Sequence, residues 1–457
     1  MFHICFVANE NYIKYTAVLI TSIIKSTDTS KKFKDFFETN THAQNAGGGA
    51  SLASYKKRDY SSLSKDEQSE GFIFHILSDF VSENSRAKLA NLAKALSEIY
   101  PCEIQIHICD DDIFQGLPKL GGNYLTYFRL FIPNFIPENT KLCLYLDVDM
   151  LVCRDLRELF SLDLKGKVVG VVKDLPNFKS HILHSKHSHN DDICFYADDF
   201  YFNAGVMLIN LDEWQRQQIK QKVFDCIRNY KLKWHDQDAL NIVIQKEQVV
   251  VLRFEYNLLS ESYLRVKDTE HFNFNYPRQE VEFALLYPVV LHFSGDYKAW
   301  NGVPFMDNEG KNLGLYWWDM AWQTPSFKSE LKKQFEKSVD NYLIYKDFGF
   351  FVASLINEHT KSFLGYLKMP FVVWRAFKEF DLTKNDDYVA KADTNLDKNL
   401  AFELLYIATK AWGQRKQSER ICQFIALPYK IYRAKCRCRK GNFRAQRESV
   451  YHKLYIT

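Results

Sequence analysis

The sequence lacks the features expected of a secreted or membrane-spanning protein. No stretch of 18 residues is free of charged side chains, so we expect no spanning helix and only peripheral membrane contact. The first residues contain no basic leader and no long apolar region, and we therefore expect no signal peptide. No internal repeat is visible either.

Disulfide-like spacing is also missing, although the chain contains ten cysteines. Four of them lie in or beside apolar runs, where a thiol behaves as a small buried hydrophobic group; they are Cys5, Cys109, Cys143 and Cys153. Cys436 and Cys438 are too close together for a zinc finger, and no second pair completes a zinc site. This usage favours a reducing, cytoplasmic compartment.

Charge is distributed unevenly along the chain. Residues 410–457 contain thirteen Lys and Arg against two acidic residues, whereas the whole chain carries +4, so the remainder is net −7. Hydrophobic residues make up 46% and charged residues 25%, which predicts a packed globular core. An acidic body with a basic end predicts an anionic surface as a partner, either a membrane or a nucleic acid.

Strand and helix patterns alternate through about the first 260 residues, which predicts an α/β sheet with ligands at the carboxyl ends of its strands. Residues 26–71 are polar and include three consecutive glycines, so we interpret them as an insertion. The predicted strands are 3–8, 72–77, 104–108, 141–146, 168–172, 205–210 and 289–293, and the predicted helices are 12–25, 85–99, 126–131 and 211–229.

The strongest local signal is an apolar strand that runs directly into Asp147-Val148-Asp149. Two carboxylates at a strand end, one residue apart, are able to bind one hard cation such as Mg²⁺ or Mn²⁺ and leave positions for a diphosphate. Taken alone, the pattern is equally consistent with a strand that ends in a solvated turn.

A second signal follows the last predicted strand, where His292, Gly295 and Lys298 occur within seven residues. A histidine at a strand end offers a nitrogen ligand, glycine permits close approach to a phosphate, and lysine supplies a positive charge. By itself, a core histidine followed by an ordinary turn is the more common arrangement.

Two further polar segments suggest a surface for a sugar. Asn203-Ala204-Gly205 precedes an apolar strand, and its small residues and amide suit a wall that binds a ring with hydroxyl groups. The alternative is a core strand that begins at a glycine. Asp236-Gln237 opens a predicted helix, and the alternative there is that Asp236 caps the helix.

In this order and context, the four segments resemble glycosyltransferase family 8. That family comprises retaining enzymes that include bacterial lipopolysaccharide and lipooligosaccharide hexosyltransferases and glycogenin. The resemblance covers about residues 1–300. It implies an α/β fold of the GT-A type, a Rossmann-like mixed sheet with flanking helices, to which this chain adds a helical, basic C-terminal region.

The resemblance also implies a UDP-sugar donor and a Mn²⁺ or Mg²⁺ ion held by Asp147, Asp149 and His292. Asn9 stands where the family commonly has Asp, and Ala299 where it usually has Pro. The residues that the resemblance places against the UDP-sugar are Ala8, Asn9, Asn11, Tyr12, Tyr127, Arg129, Asp147, Val148, Asp149, Ala204, Gly205, His292, Gly295 and Lys298. Those implied in catalysis around the sugar are Asn203, Asp236 and Gln237, with Asp174 a weaker candidate.

The resemblance implies that configuration is retained at the transferred sugar, so the acceptor attacks from the face that UDP leaves. The metal and Lys298 would stabilise negative charge on the departing UDP. Gln237 occupies the family position beneath the sugar and is a poor nucleophile, which favours front-side attack over a double displacement. Asp236 is the alternative nucleophile.

Three other functions compete with hexosyl transfer. A relative that has lost turnover would act as a sugar-nucleotide-binding scaffold, but the intact acidic cluster argues against it. A metal-dependent nucleotide hydrolase would have no use for the Asn203-Ala204-Gly205 wall. A glycogenin-like enzyme that glycosylates itself is the third alternative.

Four histidines occur between residues 181 and 189, followed by two aspartates. They are consistent with a second metal site, but their irregular spacing among Ser, Lys and Asn favours a mobile loop near the acceptor opening.

The C-terminal residues interleave basic and aromatic side chains, which suits the headgroup zone of an anionic bilayer. We expect no nucleic acid partner, because no recognition module accompanies the charge; a solvated helical tail is the alternative. The predicted organisation is a catalytic domain over 1–303, a helical accessory region over 304–400 and a membrane-associating tail over 401–457. This predicts a cytoplasmic enzyme on the inner membrane that uses a UDP-hexose and an oligosaccharide or lipid-linked glycan acceptor.

Overall fold

The computed structural model describes most of the first 338 residues and isolated positions beyond them. The described ranges are 1–37, 55–110, 112–119, 122–175, 180–196, 199–265, 276–295, 298–301 and 312–338, with single positions between 352 and 375. One compact unit comprises Met1–Ala299 together with Asn312–Lys332, and a second unit includes Trp300 and the described residues from Lys333 onward. The predicted tail over 401–457, and most of the predicted accessory region, lie outside the described residues.

A seven-stranded mixed sheet forms the centre of the first unit, in the order β11-β6-β9-β4-β1-β2-β3. β9 runs antiparallel to both β4 and β6, and the other neighbours are parallel. The inner strands of this sheet are buried at nearly every position, as expected for a sheet covered on both faces, whereas the edge strands β3 and β11 are mostly half-buried. Its strands are β1 (Phe2–Val7), β2 (Phe72–Ser78), β3 (Cys102–Ile108), β4 (Leu142–Leu146), β6 (Val169–Lys173), β9 (Phe202–Asn210) and β11 (Val249–Val251).

In the described part of the chain, the other named strands form two three-stranded sheets. One has the order β12-β13-β5 and the other has the order β10-β7-β8. Their strands are β5 (Met150–Val152), β12 (Leu258–Leu259) and β13 (Val290–His292) in the first, and β7 (Ser180–Ser185), β8 (Ile193–Tyr196) and β10 (Tyr230–Lys231) in the second.

Helices flank the sheet, and most of them bury apolar side chains. In the amphipathic helix α3, the Ser82 hydroxyl accepts a hydrogen bond from the Ser85 N–H, which satisfies one donor of the first turn, and leucines at positions 89, 92 and 96 are buried. The helices are α1 (Ile13–Lys25), α2 (Lys65–Gln68), α3 (Glu83–Ser97), α4 (Leu211–Arg216), α5 (Ile219–Asn229), α6 (His235–Val243), α7 (Ser262–Arg265), α8 (Arg278–Leu286) and α9 (Leu313–Gln323). The predicted mixed α/β architecture is therefore confirmed.

Three neighbouring strands of the sheet carry a row of histidines, of which His3 and His75 are buried and His107 is half-buried. His3 Nδ1 lies 3.0 Å from His75 Nε2, and His75 Nδ1 lies 3.0 Å from His107 Nε2. The rings are stacked, with centroids 5.2 Å apart in each pair. Burial lowers the pKa of His3 to about 4 and that of His75 to about 3, so the row is neutral at physiological pH.

Several predicted boundaries differ from the structure. The single helix predicted over 211–229 is two helices, because Gln218 adopts a left-handed conformation with φ 55° between them. Asn203, Ala204 and Gly205 lie inside β9 rather than before it. Asp236 does not cap its helix, because Trp234 occupies the N-cap position.

The prediction of a loop over the histidine-rich residues 181–189 is wrong. β7 and β8 pair antiparallel from Ser180 with Tyr196 to Leu183 with Ile193, and β10 pairs with the other edge of β7. His181 faces inward and is buried. The sequence concealed this hairpin because polarity does not follow burial along β7: the apolar Ile182 is exposed, whereas the polar His181 is buried.

Both ends of the predicted insertion pack onto the body of the unit. The fully buried guanidinium of Arg157 donates to the carbonyl oxygens of Asp28 and Lys31 and pairs with Glu70 Oε2 at 3.2 Å. Arg157 also pairs with Asp155 at 2.7 Å. Phe33 is buried at the start of this region, so its boundaries are structured by an ion-pair network and an aromatic contact.

In the part of the chain that the structure describes, none of the helices combines the length and the apolar character needed to cross a bilayer.

Candidate active site

Three side chains that could hold a metal ion meet where the central sheet and the first small sheet join. Asp147 follows β4, Asp149 precedes β5, and His292 ends β13 beside β5. The Phe293 N–H donates to the Asp149 carbonyl at 2.8 Å, which fixes the alignment of these segments. One ligand atom from each of the three residues lies within 4.8 Å of the others.

The orientation of His292 is set by a chain of amides. Asn257 Nδ2 donates to Asn203 Oδ1 at 2.9 Å, so Asn257 Oδ1 is the acceptor for His292 Nδ1–H, at 2.9 Å. This bond leaves Nε2 as the lone-pair nitrogen, and Nε2 lies 3.3 Å from Asp149 Oδ1. An imidazole fixed in this way is the usual arrangement of a metal-ligating histidine.

Gly205 leaves the space that the cluster occupies. A Cβ atom at this position would lie 2.7 Å from His292 Cε1 and 2.9 Å from Asp147 Oδ2. Every other residue type carries a Cβ, so only glycine fits here without displacing the ligands. Two carboxylates and one imidazole also form a suitable donor set for Mn²⁺, and on both grounds the residues fit a divalent ion.

A lysine balances the charge of the cluster. Lys298 Nζ pairs with Asp149 Oδ2 and also donates to the Phe293 carbonyl at 3.2 Å. Burial opposes the charged form of Asp149, but Lys298 holds the pKa of that carboxyl well below its usual range. Asp149 is therefore ionised, as a metal ligand must be.

Arg129 connects the cluster of Asp147, Asp149 and His292 to the first turn of α6. Its Nη2 lies 3.1 Å from Asp147 Oδ1, its Nε lies 3.0 Å from Asp236 Oδ2, and its Nη1 donates to the Ala204 carbonyl at 2.7 Å. Tyr145 donates to the same Asp147 oxygen at 2.5 Å, and the guanidinium lies over its ring. Arg129 thus positions Asp147 and Asp236, and these contacts engage its guanidinium in this structure.

A bulge in β9 exposes backbone groups next to the cluster. Val171 of β6 pairs with Met207 of β9, but the next β6 residue, Val172, pairs with Asn203. Three β9 residues therefore lie between the two pairs. The extra residues are released from ladder pairing with β6, and the Ala204 N–H donates instead to Gln237 Oε1 at 3.0 Å. Irregular pairing of this kind is common beside active sites.

Gln237 is held at both ends of its amide. Its Oε1 accepts from Ala204, and its Nε2 donates to Asp174 Oδ2 at 2.9 Å. Neighbouring Asp236 pairs with Arg129 and accepts from Thr126 Oγ1. Burial raises the pKa of Asp236, while Arg129 opposes that effect. The structure therefore brings Asp174, Gln237 and Asp236 together, as their joint assignment to the sugar requires.

Asp238 supports this region and was missed by the sequence analysis. Its Oδ1 accepts from Tyr201 Oη at 2.7 Å and lies 2.7 Å from His181 Nε2. Its Oδ2 accepts from the Lys233 and Trp234 N–H groups at 2.8 and 2.7 Å. Burial would raise the pKa of Asp238, but these donors hold it below its usual range. The carboxylate holds the chain at the start of α6, and Asp-Gln-Asp was its only sequence signal.

The segment after β1 lies on the same edge of the sheet. Ala8 is buried, Asn9 Oδ1 accepts from the Tyr12 N–H at 3.2 Å, and Asn11 is exposed. Glu10, which the sequence analysis did not assign, accepts from Ser82 N and Oγ and from Ser85 Oγ, at 2.7 to 2.9 Å. These bonds hold the turn against the start of α3.

The remaining predicted residues divide into core and surface positions. Val148 is buried between the two aspartates, and Tyr127 is fully buried with its hydroxyl donating to the Pro118 carbonyl at 2.8 Å. Tyr127 therefore does not reach the carboxylates in this structure. Gly295 has φ 70° with open space where a Cβ would point, so its conformation, not crowding, favours glycine.

Comparison with known proteins identifies the class to which this fold and site belong. The model of the family described as Glycosyl transferase family 8 matches residues 3–303. The chain therefore belongs to glycosyltransferase family 8 and is a transferase with a GT-A fold, which confirms the family and the fold predicted above.

Two curated relatives show the range within the family. A lipopolysaccharide 1,2-glucosyltransferase of Escherichia coli is 26% identical over 293 residues, which are 62% of this chain and 80% of that protein. A lipopolysaccharide 1,3-galactosyltransferase of Salmonella typhimurium is 25% identical over 239 residues, which are 50% of this chain and 64% of that protein. Several of the relatives are thus matched over less than two thirds of their length.

A solved structure shares the fold. The galactosyltransferase LgtC, crystallised with donor and acceptor sugar analogs, superposes with a TM-score of 0.50 and 21% identity. The match covers 73% of this chain and 99% of that chain. At this identity the likeness establishes the shared fold.

Proposed function

We propose that this protein is a retaining, metal-dependent hexosyltransferase that moves glucose or galactose from a UDP-sugar to a glycan acceptor in lipopolysaccharide or lipooligosaccharide core synthesis. The observation that carries the proposal is the cluster of Asp147, Asp149 and His292 around Gly205. The names of the two lipopolysaccharide transferases support the acceptor class and allow either sugar.

Asp147, Asp149 and His292 would hold the divalent ion, which supplies electrophilic stabilisation of a diphosphate when bound. Lys298 lies at the same place and contributes a second positive charge toward the leaving UDP. Gly295 lies three residues before it with a backbone that only glycine adopts readily. These groups favour departure of UDP because they stabilise its growing negative charge.

The surroundings of the sugar favour front-side attack. Gln237 is a neutral amide fixed between Ala204 and Asp174, so it orients the sugar and does not act as a nucleophile. The Asp236 carboxylate is engaged by Arg129 and Thr126, which reduces its nucleophilicity. The acceptor hydroxyl would then pass its proton to the leaving phosphate oxygen on the same face.

The experiment that tests the site is UDP release from UDP-glucose and UDP-galactose, with Mn²⁺ and with EDTA. We expect release from one of the donors that depends on the metal and is abolished in Asp149→Ala. Asp149→Asn preserves the volume of the side chain, so it serves as a second variant. Both substitutions remove the carboxylate that pairs with Lys298. Asp225→Ala is the matched control, since Asp225 is an exposed helical residue paired with Arg228.

No release and no UDP binding with either donor would contradict the proposal. Binding without release would show that an acceptor is missing from the assay, and truncated lipooligosaccharide would then be added. A glycosyl adduct trapped on Asp236 would contradict front-side attack while leaving the transferase assignment intact.

We also propose that the enzyme acts at the cytoplasmic face of the inner membrane through its basic C-terminal residues. Residues 410–457 carry a surplus of eleven positive charges, which suits anionic headgroups. The full-length protein should float with vesicles that contain anionic lipid, and a variant that lacks residues 410–457 should not. Flotation that is unchanged by the deletion would contradict the proposal.

A further inference from the structure

A second group of possible metal ligands lies on the hairpin formed by β7 and β8. His184 is on β7, His189 begins the single turn between the strands, and Asp192 directly precedes β8. Ligand atoms from these three residues lie within 4.8 Å of one another. Neither the transferase site nor the family match assigns a role to them.

The carboxylate of this cluster is already oriented. Asp192 Oδ1 accepts from the Ser185 N–H at 2.8 Å, which leaves Oδ2 directed toward the histidines. His184 Nδ1 lies 2.7 Å from Oδ2, and His189 Nδ1 lies 3.5 Å from the same oxygen. Two imidazole nitrogens therefore converge on one carboxylate oxygen.

The backbone that carries the three side chains is held on both sides. β7 pairs with β8 through Leu183 and Ile193, next to the cluster. The Lys186 N–H donates to the Asn229 carbonyl at 2.8 Å, and Ser188 caps the turn that begins at His189. The histidines thus project from a defined hairpin rather than from a loop of variable shape.

We propose that His184, His189 and Asp192 form a second cation site, which takes a transition-metal ion such as Zn²⁺. Two imidazoles and one carboxylate suit Zn²⁺ or Cu²⁺, whereas Mg²⁺ and Ca²⁺ take mainly oxygen ligands. The half-exposed His184 and exposed His189 leave the other coordination positions to water. Lys186, the single lysine or arginine among residues 180–196, donates its ammonium to the Ile227 carbonyl at 3.0 Å.

An ion at this site would cross-link the outer end of the hairpin. The inner end of β7 carries His181, which contacts Asp238 next to Gln237. The cation would therefore stiffen a strand that reaches the wall of the transferase site. Its effect should appear as slower hydrogen exchange across residues 180–196.

The test is a Zn²⁺ titration of the full-length protein by calorimetry, in excess Mg²⁺ and after alkylation of the cysteines. Wild type is compared with the double variant His184→Ala, His189→Ala. Because the transferase site is the same in both proteins, we expect wild type to bind one more Zn²⁺ per chain. Added Zn²⁺ should also raise the melting temperature of wild type more than that of the double variant.

The matched control is His187→Ala, in the same turn. His187 Nε2 lies 3.0 Å from Asn229 Oδ1 and is outside the cluster, so this variant should bind Zn²⁺ as wild type does. Equal binding by wild type and the double variant would overturn the proposal. Loss of the extra ion in His187→Ala would overturn the ligand assignment. Melting without metal checks that the variants, which change partly or largely exposed side chains, remain folded.

Discussion

Among the described residues, two clusters of histidine and aspartate differ in their surroundings. In the transferase site, Asp149 and His292 are mostly buried, and Asn257 fixes the histidine. In the hairpin, His189 is 90% exposed, and its only described carboxylate contact is Asp192. Similar side chains are therefore held by very different surroundings. We expect small displacements of these side chains to impair the buried site more than the hairpin site.

The largest effect should come from adding one carbon atom to the buried cluster. Gly205→Ala places a Cβ 2.7 Å from His292 Cε1, so the ligands must move apart. A misplacement of about 1 Å in a positioned catalytic group costs about 10²-fold in turnover, and we expect a loss of that order. The measurement is UDP release in Mn²⁺, together with the Mn²⁺ concentration that gives half the maximal rate.

Gly170→Ala is the matched control on the neighbouring strand β6. Its Cβ would lie 3.4 Å from Leu208 Cβ and Leu252 Cδ2, away from the ligands. We expect some loss of stability and little loss of turnover. Equal damage to turnover in the two variants would show that the sheet, and not the cluster, is sensitive to the added methyl group.

Removal of the amide behind His292 should have the next largest effect. Asn257→Ala deletes the acceptor for His292 Nδ1, so the tautomer with its lone pair toward Asp149 loses its support. Losing such a partner costs about 10- to 100-fold in metal affinity or activity, which a Mn²⁺ titration of activity would measure. Asn229→Ala removes the amide near the hairpin, and an equal effect there would remove the contrast between the clusters.

The row of His3, His75 and His107 is a third group of histidines, and it should govern how the stability of the fold depends on pH. The pKa values of His3 and His75 lie below the usual 6.5 when folded, so the unfolded chain binds more protons in acid. Stability should therefore be complete above pH 6.5 and fall by about 1.4 kcal/mol per pH unit for each histidine as the pH drops toward 4.

Urea unfolding at several pH values measures this slope, and His75→Gln should reduce it. Gln retains hydrogen-bonding groups between the two flanking rings but has no titratable nitrogen. An unchanged slope in the variant would show that the row does not govern the acid response.

The smallest effect is expected for His184→Ala on sugar transfer. The side chain is half-exposed, and its contact to Asp192 is at the outer end of the hairpin. Turnover in excess Mg²⁺ and without Zn²⁺ should remain that of wild type. A large loss of turnover would mean that the hairpin belongs to the transferase site.

The features of the site that the sequence predicted correctly are those in which a polar residue directly follows or ends an apolar strand. The apolar run before Asp147 predicted β4, and a histidine after another apolar run predicted the ligand beside it; the structure brings both to one place. These signals are local, because a buried strand and the group at its end are adjacent in the chain. The resemblance then joined segments that are far apart in sequence.

The parts that could not be predicted depend on distant pairings. Asn257 follows no recognisable motif, and its role arises only because β12 brings it beside His292. The bulge in β9 has no signature beyond small residues, yet it directs Ala204 toward Gln237. The helix break at Gln218 lacks glycine and proline, the residues that usually announce one.

The amide chain from Gly205 through Asn203 and Asn257 to His292 has a thermodynamic consequence. Because each group's hydrogen bond orients the next, a ligand that reorients Asn203 changes the free energy of metal binding. Reciprocity requires the metal to change the affinity of that ligand by the same factor. Substitutions at Asn203 that alter sugar preference should therefore shift the metal requirement as well, so the two properties are expected to diverge together among related sequences.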